Sequence, residues 1–127
     1  HVERFHLHTK KFIFTLVKDD YGVDIEKIRD SLLFGSRAAV VKSTLGEMPS
    51  RNELEEEYSS HVSSQGLEEM ENFAEYLDLG ERFTNEGVQK FKDWNLAVVP
   101  TLIAEESKEL VGLGDIISSG SFLAETW

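Results

Sequence analysis

Cysteine is absent from the 127 residues, which excludes a disulfide framework and any thiolate zinc site. Proline occurs twice, so no proline-rich linker divides the chain. No apolar run approaches the length of a membrane span, and no signal-peptide pattern is present. These absences lead us to expect a soluble, cytoplasmic protein. Positive charge is scarce: 13 Lys and Arg face 24 Asp and Glu, for a net charge of -11. Such a balance repels nucleic acid and anionic membranes, and neither is expected as a partner. The chain starts at His1 without an initiator methionine, directly in a strand-like pattern, as a segment of a longer polypeptide would. Internal repeats are missing. So are a Ser-His-Asp order, a His-Glu-x-x-His helix and the phosphate loop ending in Gly-Lys-Ser/Thr.

What is present suffices for one domain or part of one. Hydrophobic residues make up 40% of the chain and mean hydropathy is -0.30. Residues 2–9 alternate, with Phe5, Leu7 and Thr9 on one side and Arg4, His6 and His8 on the other, so a strand with one polar face is expected. Phe12 to Val17 forms a second β-rich run, and Asp19-Asp20-Tyr21-Gly22 is turn chemistry. Asp24 is placed to cap a helix of about twenty residues carrying Ile25, Ile28, Leu32 and Ala39 on one stripe, with Gly46 to stop it. Ser50-x-x-Glu53 fits a capping box that opens a short acidic helix. Leu67, Met70, Phe73, Ala74 and Leu77 mark another amphipathic helix, closed by Gly80. Residues 81–87 show no period, and Val88 to Trp94 fits a strand or a short helix. Leu96 to Ile103 reads as a strand in which Pro100 implies an edge or a bulge. Glu105 to Glu109 is a charged turn.

The most informative stretch follows, Leu110-Val111-Gly112-Leu113-Gly114-Asp115-Ile116-Ile117. Two glycines before a helical run let the backbone turn tightly and leave room beside the main chain. The unpaired N–H groups of a helix's first turn, backed by its dipole, suit an anion such as phosphate. Asp115 at this mouth can cap the helix or accept a proton beside a bound phosphate. His6 and His8 share a strand face. Two imidazoles at that spacing suit a metal, yet the only nearby third ligands are at the chain end, and hydrogen bonds to neighbours are the simpler expectation. The acidic clusters at Glu53–Glu57 and Glu68–Glu71 read as solvated helix faces, and Phe91 and Trp94 as packing residues.

Three segments together carry a resemblance. Val111 to Ser119, containing Gly-Leu-Gly-Asp, resembles the C-terminal signature of the archaeal ADP-dependent sugar kinases, the glucokinase and phosphofructokinase group. Val2-Glu3-Arg4-Phe5-His6-Leu7-His8-Thr9 resembles that family's strand bearing His-x-His-Thr. Val98-Val99-Pro100-Thr101-Leu102-Ile103 resembles the strand before the catalytic turn. All three occur in the family's order, whereas residues 47–90 match nothing in it. The resemblance implies an α/β fold: the C-terminal part of a ribokinase-like three-layer sandwich, with a central, mostly parallel sheet and flanking helices. Residues 1–127 would be part of the nucleotide-binding domain, with the lid and the rest of the parent kinase outside this chain. It implies ADP as phosphoryl donor, AMP as product, Mg2+ as cofactor, and glucose or fructose 6-phosphate as acceptor. By position, Asp115 resembles the catalytic base and lies near the metal. Gly112, Leu113 and Gly114 resemble the anion hole. His8, Thr9, Ala104 and Gly114 match nucleotide-contacting positions. Lys10-Lys11 departs from the family pattern, so the pocket rim is expected to differ. An ATP-using ribokinase-like kinase, or a non-catalytic nucleotide-binding module in which Asp115 only caps, would share the glycine turn.

Overall fold

The structure, a computed structural model, describes residues 2–108 and 112–127. The expected roles of Glu109 in the charged turn, of Leu110-Val111 as the lead into the glycine turn, and of His1 as a ligand lie outside the described residues. Strand β1 (Arg4–His8) turns through Thr9-Lys10-Lys11 into β2 (Phe12–Lys18). Strand β4 (Val88–Phe91) turns through Lys92-Asp93 into β5 (Trp94–Pro100). The sheet order is β1-β2-β5-β4, and each adjacent pair is antiparallel. This corrects the expectation of a mostly parallel sheet for the strands in this chain. Links of three and two residues close only hairpins, whereas parallel neighbours need a crossover of about a dozen residues or more. A second, two-stranded sheet pairs β3 (Ser60–Val62) antiparallel with β6 (Leu102–Ala104).

Helices cover both faces of the larger sheet. Helix α1 (Ile25–Leu45) buries the expected stripe, Ile25, Ile28, Leu32 and Ala39, against Ile13, Val17, Val88, Ala97 and Val99. Helix α5 (Leu113–Glu125) adds Ile116 and Ile117 to this core. On the other face, α3 (Ser64–Tyr76) lays Met70, Phe73 and Ala74 over Phe12, Phe14, Leu16, Leu96 and Val98, and Phe83 of α4 (Glu81–Glu86) completes the layer. The described residues therefore form three layers, helix–sheet–helix. Fully burying one such Ile, Leu or Phe stabilises the fold by about 1.5–3 kcal/mol.

Local chemistry explains the boundaries. Gly46, with φ 80°, ends α1 by sending its N–H to the Lys42 carbonyl. Asp24 occupies the N-cap position, but its side chain makes no capping hydrogen bond. The Ser50–Glu53 capping box forms, yet the helix it opens, α2 (Arg51–Glu55), is a single turn. Gly80 opens α4 instead of closing α3; Asp78, at φ 52°, turns the chain between them. The strand expected to run on to Ile103 stops at Pro100. Thr101 bends the chain there, and it resumes as β6 in the other sheet.

Helices α1 and α5 cross closely because Gly35 has no side chain. A methyl group on Gly35 would lie 3.2 Å from the Ile117 carbonyl carbon and nearer still to its oxygen and to Ser121 Oγ.

Candidate functional site at the start of helix α5

The polar face of β1 points inward, onto α5. The register pairs Arg4, His6 and His8 with Val17, Thr15 and Ile13, so all three share the α1–α5 side of the sheet. Phe5 and Leu7 take the opposite side and stay substantially exposed. Arg4 forms a buried ion pair with Glu125 near the C-terminal end of α5, with side chains only 8% and 7% exposed. Its guanidinium also lies 4.1 Å from the centre of the Phe122 ring. Burial alone would lower the Arg4 pKa, but hydrogen bonds to Glu125 and Tyr21 outweigh it and hold the group above its ordinary value. His6 Nδ1 is 2.8 Å from Thr15 Oγ1. Burial, aided by the charge on Arg4 and by His8, pulls the His6 pKa from 6.5 down to about 4. His6 is therefore neutral near pH 7, and its place is in the β1–α5 seam.

At the other end of α5, His8 packs directly on Gly114. A Cβ at Gly114 would lie 2.8 Å from His8 Cε1 and 3.2 Å from Cδ2, with Nε2 closer still. The imidazole occupies the space that a side chain there would need. The His8 imidazole makes no hydrogen bond to the described residues; its Nε2 is the ring atom seated closest to Gly114. Gly112, at φ 74°, is the N-cap of α5 and has no side chain with which to cap it. Its left-handed backbone is strained for other residues. A methyl group there would come within 3.2 Å of Lys42 Nζ. The next amides, of Leu113, Gly114 and Asp115, belong to the first turn, which has no partners inside the helix. Asp115 is exposed on that turn. Its carboxylate forms no hydrogen bond or ion pair with the described residues, so it does not act as a side-chain cap.

Of the remaining expected contacts, Thr9 lies in the β1–β2 turn and Ala104 in β6. Thr9 Oγ1 accepts from the N–H groups of Lys11 and Phe12 and donates to the Phe12 carbonyl. Its hydroxyl thus builds the turn, and its carbonyl accepts from Thr101 Oγ1 at 3.3 Å. Ala104 ends β6, paired with Ser60. Lys11 is tied to Glu69 of α3 at 3.2 Å. Two cavities among the described residues, of about 250 Å3 and 570 Å3, are lined by none of His8, Gly112, Gly114 and Asp115. Among the described residues no cluster of three or more His, Asp or Glu is placed to hold a metal.

The conserved region of ADP-specific phosphofructokinases and glucokinases matches residues 1–124. The chain belongs to the ADP-specific phosphofructokinase/glucokinase family. It is 34% identical over 124 residues to an ADP-dependent glucose/glucosamine kinase of Pyrococcus abyssi, covering 98% of this chain and 25% of that one. It is 32% identical over 127 residues to an ADP-specific phosphofructokinase of Methanosarcina acetivorans, covering 97% and 26%. Among solved structures, an ADP-dependent kinase in complex with fructose 6-phosphate and ADPβS superposes with a TM-score of 0.89 at 29% identity, covering 97% of this chain and 28% of that one. The last common ancestor of ADP-dependent phosphofructokinases from Methanosarcinales matches equally well, with a TM-score of 0.89, 29% identity and coverage of 98% and 26%. The chain spans about a quarter of the length of these relatives. No helix among the described residues is long and apolar enough to cross a membrane.

Within this kinase-family fold, sequence reasoning missed the polar residues of α1 that reach neighbouring segments: Lys42, whose Nζ lies beside Gly112, and Ser36 and Ser43, which bond to Leu102 and Ser107. The available signal was that a polar residue on a buried helix face needs a partner.

Proposed function

We propose that this chain is the C-terminal part of the nucleotide-binding domain of a ribokinase-like, ADP-dependent sugar kinase whose lid and remaining strands lie elsewhere in the protein. The observation that carries the reading is the meeting of His8 with Gly114, one residue before an exposed, uncapped Asp115. Strand β1 and helix α5 thereby bring two distant motifs of the family to one surface.

In the proposed reaction the sugar hydroxyl oxygen attacks the β-phosphorus of ADP. A new O–P bond forms, and the bond to the oxygen bridging the two phosphates breaks. AMP leaves with that electron pair, and the hydroxyl proton passes to the Asp115 carboxylate. The amides of Gly112, Leu113 and Gly114 face the charge on the phosphoryl group in flight, where donors fixed in advance are most effective. His8 contacts the nucleotide through a ring nitrogen, Thr9 by shaping the turn beside it, and Ala104 through its apolar face. Mg2+, when bound, would neutralise phosphate charge. Asp115 fits it as a single carboxylate ligand, because Mg2+ is commonly held by one or two carboxylates with phosphate and water completing its shell.

The test is a coupled assay of the kinase that carries this chain, with ADP and ATP each offered against glucose and fructose 6-phosphate. ADP-dependent turnover is expected. Asp115→Asn should lower turnover by about 10²-fold or more while ADP still binds. Near-normal turnover of that variant would refute the base assignment, and turnover with ATP alone would favour the ATP-using alternative.

A further inference from the structure

Six hydroxyl-bearing residues on α1 and α5 have side-chain hydrogen bonds that fall into two groups. Ser31 and Thr44 of α1 donate to the carbonyls of Ile28 and Val40, and Ser119 and Ser121 of α5 to those of Asp115 and Ile117. This is the ordinary habit of a hydroxyl inside a helix. Ser31 and Thr44 add a longer contact off the helix, each at 3.3 Å, to Glu125 Oε1 and to the Glu106 carbonyl, whereas the side chains of Ser36 and Ser43 bond only off the helix among the described residues. Ser36, fully buried, accepts from the Leu102 N–H at 2.9 Å, at the first residue of β6. Ser43, 3% exposed, places Oγ 2.6 Å from Ser107 Oγ. The Ser43 carbonyl accepts from the Lys108 N–H at 2.7 Å.

We propose that Ser36 and Ser43 are positioning residues that hold the β6 segment to α1 and thereby set the nucleotide site, an inference that rests on the function proposed above. The two serines are seven residues apart, close to two full turns, and so lie on one face of the helix. Between the points they grip, Leu102 and Ser107, lies Ala104. The adjacent face of the helix, about 100° round, meets Gly112 at Lys42 and α5 at Gly35. One rod thus carries the strand expected at the nucleotide and the turn expected at the phosphate. A buried hydroxyl destabilises the fold unless it is bonded, so an apolar residue would serve packing alone at least as well. What the two serines add is direction: each fixes a particular backbone or side-chain atom of the loop. Without them β6 samples other positions, and apparent nucleotide affinity falls with the fraction of molecules that remain competent.

The test compares Ser36→Ala, Ser43→Ala and Ser31→Ala in the intact kinase. Ser31 is equally buried on α1 but lies on the Glu125 side, away from β6. Ser36→Ala and Ser43→Ala are each expected to raise KM for ADP about 3- to 10-fold, with KM for the sugar unchanged and kcat little affected. Ser31→Ala should lower Tm comparably and leave KM for ADP unchanged. Hydrogen exchange at the Leu102 amide should quicken in Ser36→Ala without activity being measured. If Ser36→Ala does not fold, Ser43→Ala near the helix end carries the comparison. Unchanged KM for ADP in the folded variants, or an equal rise in Ser31→Ala, overturns this inference alone. Absence of ADP-dependent turnover in the wild-type kinase overturns the functional reading and this inference with it.

Discussion

Gly114→Ala pits two effects of known sign against each other. Gly114 has helical backbone inside α5 and no positive φ, so alanine would by itself favour the helix by about 1 kcal/mol. The new methyl group, however, would lie 2.8 Å from His8 Cε1 and closer to Nε2. Carbon contacts settle at about 3.5–4.0 Å, so the ring must retreat by about 1 Å or rotate away. Overpacking of this kind typically costs about 1–3 kcal/mol. His8 is half-buried at the edge of the sheet and has room to swing outward, which places the cost at the low end. Net stability should therefore change by less than about 1 kcal/mol. The displaced imidazole would no longer face a nucleotide, and KM for ADP should rise by about tenfold or more, the effect of losing one good contact. The assay pairs chemical denaturation with steady-state kinetics for Gly114→Ala, His8→Ala and the double variant. Because His8→Ala removes the obstructing ring, the double variant should be more stable than the sum of the single changes predicts, and its KM should match that of His8→Ala. Strict additivity in both measurements would refute the packing argument.

Two further outcomes follow from the β1–α5 seam. The His6 pKa is depressed in the folded chain, to about 4 from 6.5, so the unfolded state binds more protons between those values and stability falls as pH drops from about 6.5 to about 4. His6→Asn should flatten that part of a stability-against-pH curve, and an unchanged slope would count against it. Glu125→Gln would leave the Arg4 guanidinium buried without its countercharge. Breaking one side of such a pair costs about 3–5 kcal/mol, which a drop in the denaturation midpoint would register.

The sequence was most legible where hydrophobic period and end signals agreed. Helix α1 runs from the residue after Asp24 to the residue before Gly46, and the β-rich run from Phe12 forms β2. Legibility was poorest where tertiary pairing decides the outcome. Ser60–Val62 is too short and too polar to announce a strand, and it forms one because β6 offers an edge. The sense of the sheet was misjudged because a family-level expectation of parallel strands outweighed the short link between β1 and β2, which permits only a hairpin. The polar face of β1 was seen, but not that it would turn inward: Arg4 is tolerated there because Glu125, 121 positions later, comes to meet it. The need for glycine at the start of α5 was legible because a tight turn there is a backbone requirement, and Gly112 meets it with φ 74°.

Helix α5 is fastened to β1 at both ends, by His8 seated on Gly114 and by Arg4 locked to Glu125. A rod pinned at two points can neither slide along its axis nor pivot about one end without breaking a contact. Strand and helix must therefore travel as one body. If the whole protein closes around a ligand, the hinge lies outside this pair, and Asp115, the base proposed above, would wait as a stationary anvil to which the acceptor is delivered.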